Sequence, residues 1–291
     1  INTEVSVGGS GDVISDIEMR TITIGMSNVY AFVGMGPYFI DSNNDGIIDR
    51  DPNNQIPDDE INENAIGMVV EDLDVGIMLM SPTALEAAED PIRFFAMKLD
   101  AQLAAFVGVD EITMAAHDIS VAANMSYIPA AGLPSPLNVN FRSSFESAQG
   151  ANDGQFALNT GGDPVNLDFD SFLLKLVVGY AELDIMGYVQ LFGSFAFEAG
   201  PSETVTLTGG SKKTLKTLTI GFNDVNAFVG NGPYFVDTTG DGRVDENDSP
   251  NSNAMGLVIE DLDGGFMLLA STEATDPVVL RTLTLGSARD P

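Results

Sequence analysis

The segment TITIGMSNVYAFVGMGPYFID, residues 21–41, returns as TLTIGFNDVNAFVGNGPYFVD, residues 217–237, with 14 identities in 21 positions at a constant offset of 196. A second match, AIGMVVEDLD at 65–74 against AMGLVIEDLD at 254–263, runs at an offset of 189, so the first copy carries seven extra residues between its matched parts. A surface loop tolerates such an insertion and a core strand does not. One supersecondary unit is therefore used twice, the pattern of extended arrays whose repeats pack on their neighbours. The second copy runs only to TLTLGSARDP, so the chain reads as a window on a longer array. Three divisions are expected: repeat copy one at 1–91, an intervening β unit at 92–200, and at 201–291 a second copy truncated before its second half.

Alternation of apolar and polar residues predicts strands almost throughout. In VQLFGSFAF, Val189, Leu191, Phe195 and Phe197 form the expected buried face, opposite Gln190, Phe192, Ser194 and Ala196; Ala181, Leu183 and Ile185 alternate with Glu182 and Asp184. Gly179, Gly187, Gly193 and the DG or GG steps at 45–46, 241–242 and 264–265 read as hairpin turns or bulges. Residues 83–106 are rich in helix formers. Their counterpart DPVVLRTLTLG, 276–286, is β-branched and alternating, which predicts strand from about residue 92 and at most a short helical turn at 83–89. The proline-rich 127–140 and the polar 143–155 predict an excursion from the sheet over 127–160. The expected fold class is all-β with few or no helices, in an elongated tandem-repeat architecture. Short alternating strands serve either a β-solenoid-like coil or a row of β-sandwich units.

Charge narrows the partners. Against 43 Asp and Glu stand 12 Lys and Arg, a formal charge of −31, while 44% of the residues are hydrophobic, enough for a sizeable core. Such a surface repels nucleic acid and anionic lipid headgroups, so neither nucleic acid nor membrane insertion is expected. It also repels itself, and divalent cations relieve that repulsion. The chain has no Cys, which excludes disulfides and thiolate chemistry. With the acidity, that predicts an extracellular or cell-surface location. No apolar run reaches the length of a membrane helix, and INTEVSVGGSGD lacks the regions of a signal peptide, so any signal is expected to be removed or to lie upstream.

The repeated motif runs into an acidic, Gly-punctuated loop in both copies. In the second, Asp237, Thr239, Asp241, Gly242, Asp245 and Asp248 occupy positions 1, 3, 5, 6, 9 and 12 of a twelve-residue window. In the first, Asp41, Asn43, Asp45, Gly46 and Asp49 hold positions 1, 3, 5, 6 and 9, with Asp51 next to the Pro52 at position 12. A hard Ca²⁺ ion needs six to eight oxygens, which a chain supplies by curling round it with carboxylates on alternate residues and Gly at the sharpest turn. The backbone carbonyls of Ile47 and Arg243 fill position 7. Neither loop has the bidentate Glu of an EF-hand, and strands replace the flanking helices. The loops resemble the DxNxDG loops of dockerins and of thrombospondin-type calcium repeats, over about 12 residues of each copy. Weak affinity, about 10⁻⁴–10⁻³ M, is then expected. The alternative is that Asp, Asn and Gly merely form turns. The paired EDLD, Glu71, Asp72, Asp74 and Glu260, Asp261, Asp263, reads as a solvated hairpin turn or as a source of further ligands.

No catalytic constellation emerges. His117 is the one His, and although Asp118 and Ser120 are near, adjacent strand residues point to opposite faces. No Trp is present to stack on sugars, and VGMGPYF and VGNGPYF lead into a strand instead of a helix, which argues against a phosphate loop. Phe32, Pro37, Tyr38, Phe39 and their copies Phe228, Pro233, Tyr234, Phe235 are expected to form core and turn. Asn124 and Asn247 stand in glycosylation sequons.

The strings GYAELDIMGYVQLFGSFAFE, TLTIGFNDVNAFVGNGPYFVD and GLVIEDLDGGFMLLAS resemble repeats of very large, repetitive bacterial surface or secreted proteins. That resemblance implies an adhesin-like or matrix-forming role with further copies of the repeat as partners, and no enzymatic activity. The expected function is a calcium-stabilised structural segment of an extracellular fibre, stalk or biofilm matrix. The alternatives are an adhesin module that binds a glycan or protein through 127–160, and a calcium-dependent polysaccharide enzyme on a β-helix.

Overall fold

A computed structural model of the chain describes residues 1–7, 13–48, 59–83, 92–128, 133–134, 137–145, 154–240, 242–245, 247–271 and 277–287. The fold is all-β. In chain order the strands are β1 (Asn2–Val7), β2 (Val13–Met35), β3 (Phe39–Ile40), β4 (Glu60–Ile61), β5 (Ile66–Pro82), β6 (Arg93–Val107), β7 (Ile112–Ile128), β8 (Leu133–Pro134) and β9 (Leu137–Asn140). After the one-turn helix α1 (Phe141–Ser144) come β10 (Phe156–Leu158), β11 (Val165–Leu167), β12 (Leu173–Ile185), β13 (Val189–Thr206), β14 (Lys212–Asn231), β15 (Met255–Ser271) and β16 (Val279–Ser287).

The described residues show neither a coil nor stacked sandwiches. Twelve of the strands form one antiparallel sheet in the order β16-β15-β14-β13-β12-β7-β6-β5-β2-β1-β9, with β8 paired to β7, and β3 with β4 and β10 with β11 form two-stranded ribbons. Sequential strands pair with one another because the connections on the main path are mostly tight: β6 and β7 are separated by four residues and β12 and β13 by three. The strand expected from about residue 92 begins at Arg93, whereas most of the possible helical turn at 83–89 lies outside the described residues.

The sequence repeat has a structural counterpart in register. β2 pairs β5 through Thr21↔Met80, Gly25↔Gly76 and Gly34↔Gly67. β14 pairs β15 through the equivalent Thr217↔Leu269, Gly221↔Gly265 and Gly230↔Gly256. Register shifts also coincide, at Met26–Ala31 and at Phe222–Ala227. The shifts are β-bulges at Asx residues in the left-handed region, Asn28 (φ 51°) opposite Asp72 (φ 50°), and Asp224 (φ 55°) opposite Asp261 (φ 55°). The EDLD motif thus lies inside a strand and is not a hairpin turn.

The two faces of the sheet differ. One is covered in the first half, where residues 137–145 and 154–169 pack Val139, Phe141, Leu158, Leu167 and Phe169 on Met78, Met80, Phe94 and Ala96. The segment expected as a loop excursion is therefore much of the core of the first half. The opposite face carries an apolar row, Val33, Met68, Phe106, Met114, Leu183 and Leu191, aligned across six strands. Val33 is 78% exposed, and Met68 and Met114 are also exposed. Burial on β13 corrects the sequence expectation: Gln190 and Phe192 are buried, whereas Val189, Leu191, Phe195 and Phe197 are half-exposed. Alternation marks two faces but does not say which one a distant loop will cover.

Candidate functional site

Each acidic loop grows from the same aromatic platform. The rings of Phe32 and Phe228 lie over glycine pairs in adjoining strands, Gly34 with Gly67 and Gly230 with Gly256. A Cβ on Gly67 would stand 2.9 Å from the Phe32 ring and 2.3 Å from the Val33 carbonyl oxygen, and on Gly256 2.6 Å from the Phe228 ring, so only glycine admits the aromatic cover. Phe32 stacks on Tyr38 and Phe228 on Tyr234, each at 5.6 Å and 20°. Tyr38 and Phe235 are buried, as the core reading of AFVGxGPYF expects. The chain re-enters the sheet identically in both copies. The Asn62 and Asn251 N–H groups donate to the Tyr38 and Tyr234 carbonyls at 2.8 Å, and their side-chain amides donate to Pro37 and Pro233 at 2.8 Å.

Within the loops the first aspartate organises the backbone. Asp41 accepts from Asp45 N–H (3.2 Å) and Gly46 N–H (2.9 Å), and Asp237 accepts from Gly240 N–H (2.6 Å) and Gly242 N–H (2.8 Å). Gly46 and Gly242 share φ of 85°, the left-handed turn that the sixth position requires. Asn43 accepts from Asp45 N–H, Asp45 from Ile47 N–H, and Thr239 Oγ1 donates to Asp237. Asp245 accepts from Asn247 N–H. The N–H groups of Gly242 and Gly240 hold Asp237 below the usual carboxylate range. Asp49, Asp51 and Asp241 lie outside the described residues. Among the described residues no three acidic or His side chains converge on one point.

The end of each loop is tied back by a carboxylate. Asp248 accepts from Thr238 N–H, Thr239 N–H and Thr238 Oγ1, and with its other oxygen from Asp245 N–H. Those donors, Asp245 N–H first, hold it below the carboxylate range. Its structural counterpart is Asp59, which accepts from Ser42 N–H and Ser42 Oγ and is 2% exposed. Asp59 was not among the sequence candidates. The seven extra residues fall before it, so counting twelve from Asp41 reaches Pro52, whereas the downstream offset of 189 leads from Asp248 to Asp59.

The second loop is anchored to the middle of the sheet. Gln190, 2% exposed, accepts from Tyr234 N–H and Phe235 N–H at 2.9 Å and donates to the Phe235 carbonyl and to Asp184. Val244 N–H donates to the Tyr180 hydroxyl, whose pKa burial pushes up to about 12. The Arg243 guanidinium lies over the Tyr180 ring and pairs with Asp118 at 3.0 Å. Burial beneath the loop, helped by Asp184 and Asp237, pushes Glu182 up. Between this loop and β14–β15 lies a cleft of about 750 Å³ lined by Asp224, Asp245, Asp248, Glu260, Asp261 and Asp263. Such a lining concentrates cations and excludes anions.

The EDLD carboxylates serve the bulges: Asp74 accepts from Asn28 N–H at 2.9 Å and Asp263 from Asp224 N–H at 2.8 Å. His117 faces the Tyr180 ring at 5.9 Å, its pKa lowered by burial and then by Arg243, while Asp118 turns to Arg243. Of the two sequons, Asn124 is fully buried and donates to the Val139 and Ser171 carbonyls, and Asn247 is exposed. Among the described residues no helix is long and apolar enough to cross a membrane. No protein-family model, curated protein or solved structure matches this chain.

Proposed function

We propose that the chain is a structural, non-catalytic segment of an extracellular fibre, stalk or adhesin matrix, in which Ca²⁺ stiffens two loops standing on one long sheet. The observation that carries this reading is the duplication of the loop itself: the same aspartate-wrapped turn, with Gly at φ 85°, on hairpins of identical register. A single acidic turn needs no ion. Two at equivalent positions, in a chain of formal charge −31, gain from one by neutralisation and by ordering.

In the first loop Asp41, Asn43, Asp45, the Ile47 carbonyl, Asp49 and Asp51 would hold the ion. Asp237, Thr239, Asp241, the Arg243 carbonyl and Asp245 would do so in the second. These are hard oxygen donors of the kind Ca²⁺ selects. Asp59 and Asp248 hold the loops closed, and Asp248 joins the second set only by exchanging its N–H partners for the ion. Partners would be further copies of the same repeat.

Calorimetric titration with Ca²⁺, with thermal melts in calcium and in chelator, tests the reading. Two weak sites are expected; at ten times the dissociation constant each adds about 1.4 kcal/mol to stability. No heat of binding and an unchanged melt would reduce the loops to acidic turns.

A further inference from the structure

β14 and β2 are copies, yet their surroundings differ. β14 is paired on both edges, by β15 and by β13, the latter running from Val189↔Val229 to Thr206↔Lys212. β2 is paired by β5 from Met19 to Met35, and β1 meets β2 only between Val13 and Glu18. Among the described residues no strand lies along the outer edge of β2 beyond Met19. Ile22 there is 60% exposed, whereas its equivalent Leu218, opposite Ala199, is half-buried.

We propose that the outer edge of β2, residues 22–33, is a docking edge for an antiparallel strand of the β13 sequence, VQLFGSFAFE, presented by a further copy of this repeat. This deepens the structural reading above, resting on its repeat and not on its calcium. Three observations select that occupant. First, the edge that β13 reads on β14 is conserved within the chain: Thr219, Ile220, Gly221, Ala227, Phe228 and Val229 recur as Thr23, Ile24, Gly25, Ala31, Phe32 and Val33. Second, the bulge matches. Gly193 of β13 has φ 146° and crosses β14 at its bulge, where an added Cβ would stand 2.9 Å from Val225 Cα and 3.1 Å from the Asp224 oxygen. β2 offers Val29 and Asn28 at the same place, with Asn28 at φ 51° against 55° for Asp224. Third, β13 is already held by β12 and β14, so the strand that fills the β2 edge comes from a different copy. Backbone hydrogen bonds supply the affinity of such strand addition, and the bulge supplies its register.

The expected register follows from the offset of 196: Val189 opposite Val33, Gln190 opposite Phe32, Phe195 opposite Met26 and Phe197 opposite Ile24. A fluorescent synthetic peptide spanning Val189–Ala199, which stops short of the residues that β1 pairs, is titrated onto the full chain in calcium and in chelator, and the protected amides are mapped by hydrogen exchange. Saturable binding with protection confined to about residues 22–33, weakened at least about tenfold by Gly193→Val in the peptide, is the expected result. The substitution is in the peptide, so the fold of the chain is untouched. No binding, protection at another edge such as β16, or equal binding by the Gly193→Val peptide would overturn the proposal. Binding that persists while the calcium titration is silent would sink the calcium reading and leave this one standing.

Discussion

The two acidic loops share a sequence, a hairpin register and a wrapped aspartate, but they are supported differently. In the second copy the segment Tyr234–Phe235 is stitched to β13 by the buried amide of Gln190, and Arg243 and Val244 reach Tyr180 and Asp118. In the first copy the equivalent segment is Tyr38–Phe39, and there Phe39 and the following Ile40 pair with Ile61 and Glu60, just past the extra loop residues. Local sequence thus specifies the turn, and whichever strand lies alongside decides how firmly it is held. Among the described residues β14 has β13 alongside it, whereas β2 has no such strand beyond Met19.

The largest break in the symmetry is expected at the aromatic platform. Phe228 is 1% exposed, whereas Phe32 is half-buried. Phe228→Ala should cost about 3–5 kcal/mol by denaturant unfolding, and Phe32→Ala clearly less. Equal losses would mean that the neighbouring β13 adds nothing to the packing of the second copy.

Gln190→Leu comes next. It leaves the Tyr234 and Phe235 N–H groups without their acceptor, at about 1–3 kcal/mol. Hydrogen exchange should speed up at those amides and stay unchanged at Tyr38 and Phe39. A uniform change in both copies would show that the anchor is not local.

Acid should then open the second loop. Asp237 and Asp248 are held below the ordinary carboxylate value of about 4, so their contribution is full above that pH and is lost as the pH falls through their lowered folded-state values. Amide exchange at Gly240 and Gly242 between about pH 5 and pH 2 reads this, and Asp237→Asn should flatten the profile. A flat profile in the unsubstituted chain would remove the carboxylate cage from the account.

The smallest effect belongs to Arg243→Ala. Its pair with Asp118 is solvent-exposed and worth about 0–1 kcal/mol, so melting should shift little and less still in high salt.

Much of the fold was legible in the chain because strands and bulges are written locally. The alternation, the AFVGxGPYF platform and the turn at Asp45–Gly46 recur in the structure, and the counterpart at 276–286 matches the strand from Arg93 onward. The GG step at 264–265, expected as a turn or bulge, is instead regularly paired inside β15, and Asp241 of the other DG step lies outside the described residues. The misses share a cause. EDLD reads as a turn because Asp and Asn are turn residues, but Asp72 and Asp261 adopt their left-handed conformation within a strand. Spacing from Asp41 does not mark Asp59, because the seven-residue insertion moves it beyond the twelfth position. Gln190, a polar residue on a strand, gave no sign that Phe235 would descend on it from 45 residues away.

By itself the sequence determined an all-β chain, the duplication, the acidic turns and the absence of thiol chemistry, all of which depend on short-range conformational preference or on composition. Only the tertiary structure decided that twelve strands join into one sheet, that residues 137–145 and 154–169 pack into the core, which face carries the exposed apolar row, and, among the described residues, which copy has a strand on both edges. Those outcomes depend on pairings between residues far apart in the chain, and period-two alternation is the same for either partner and either face.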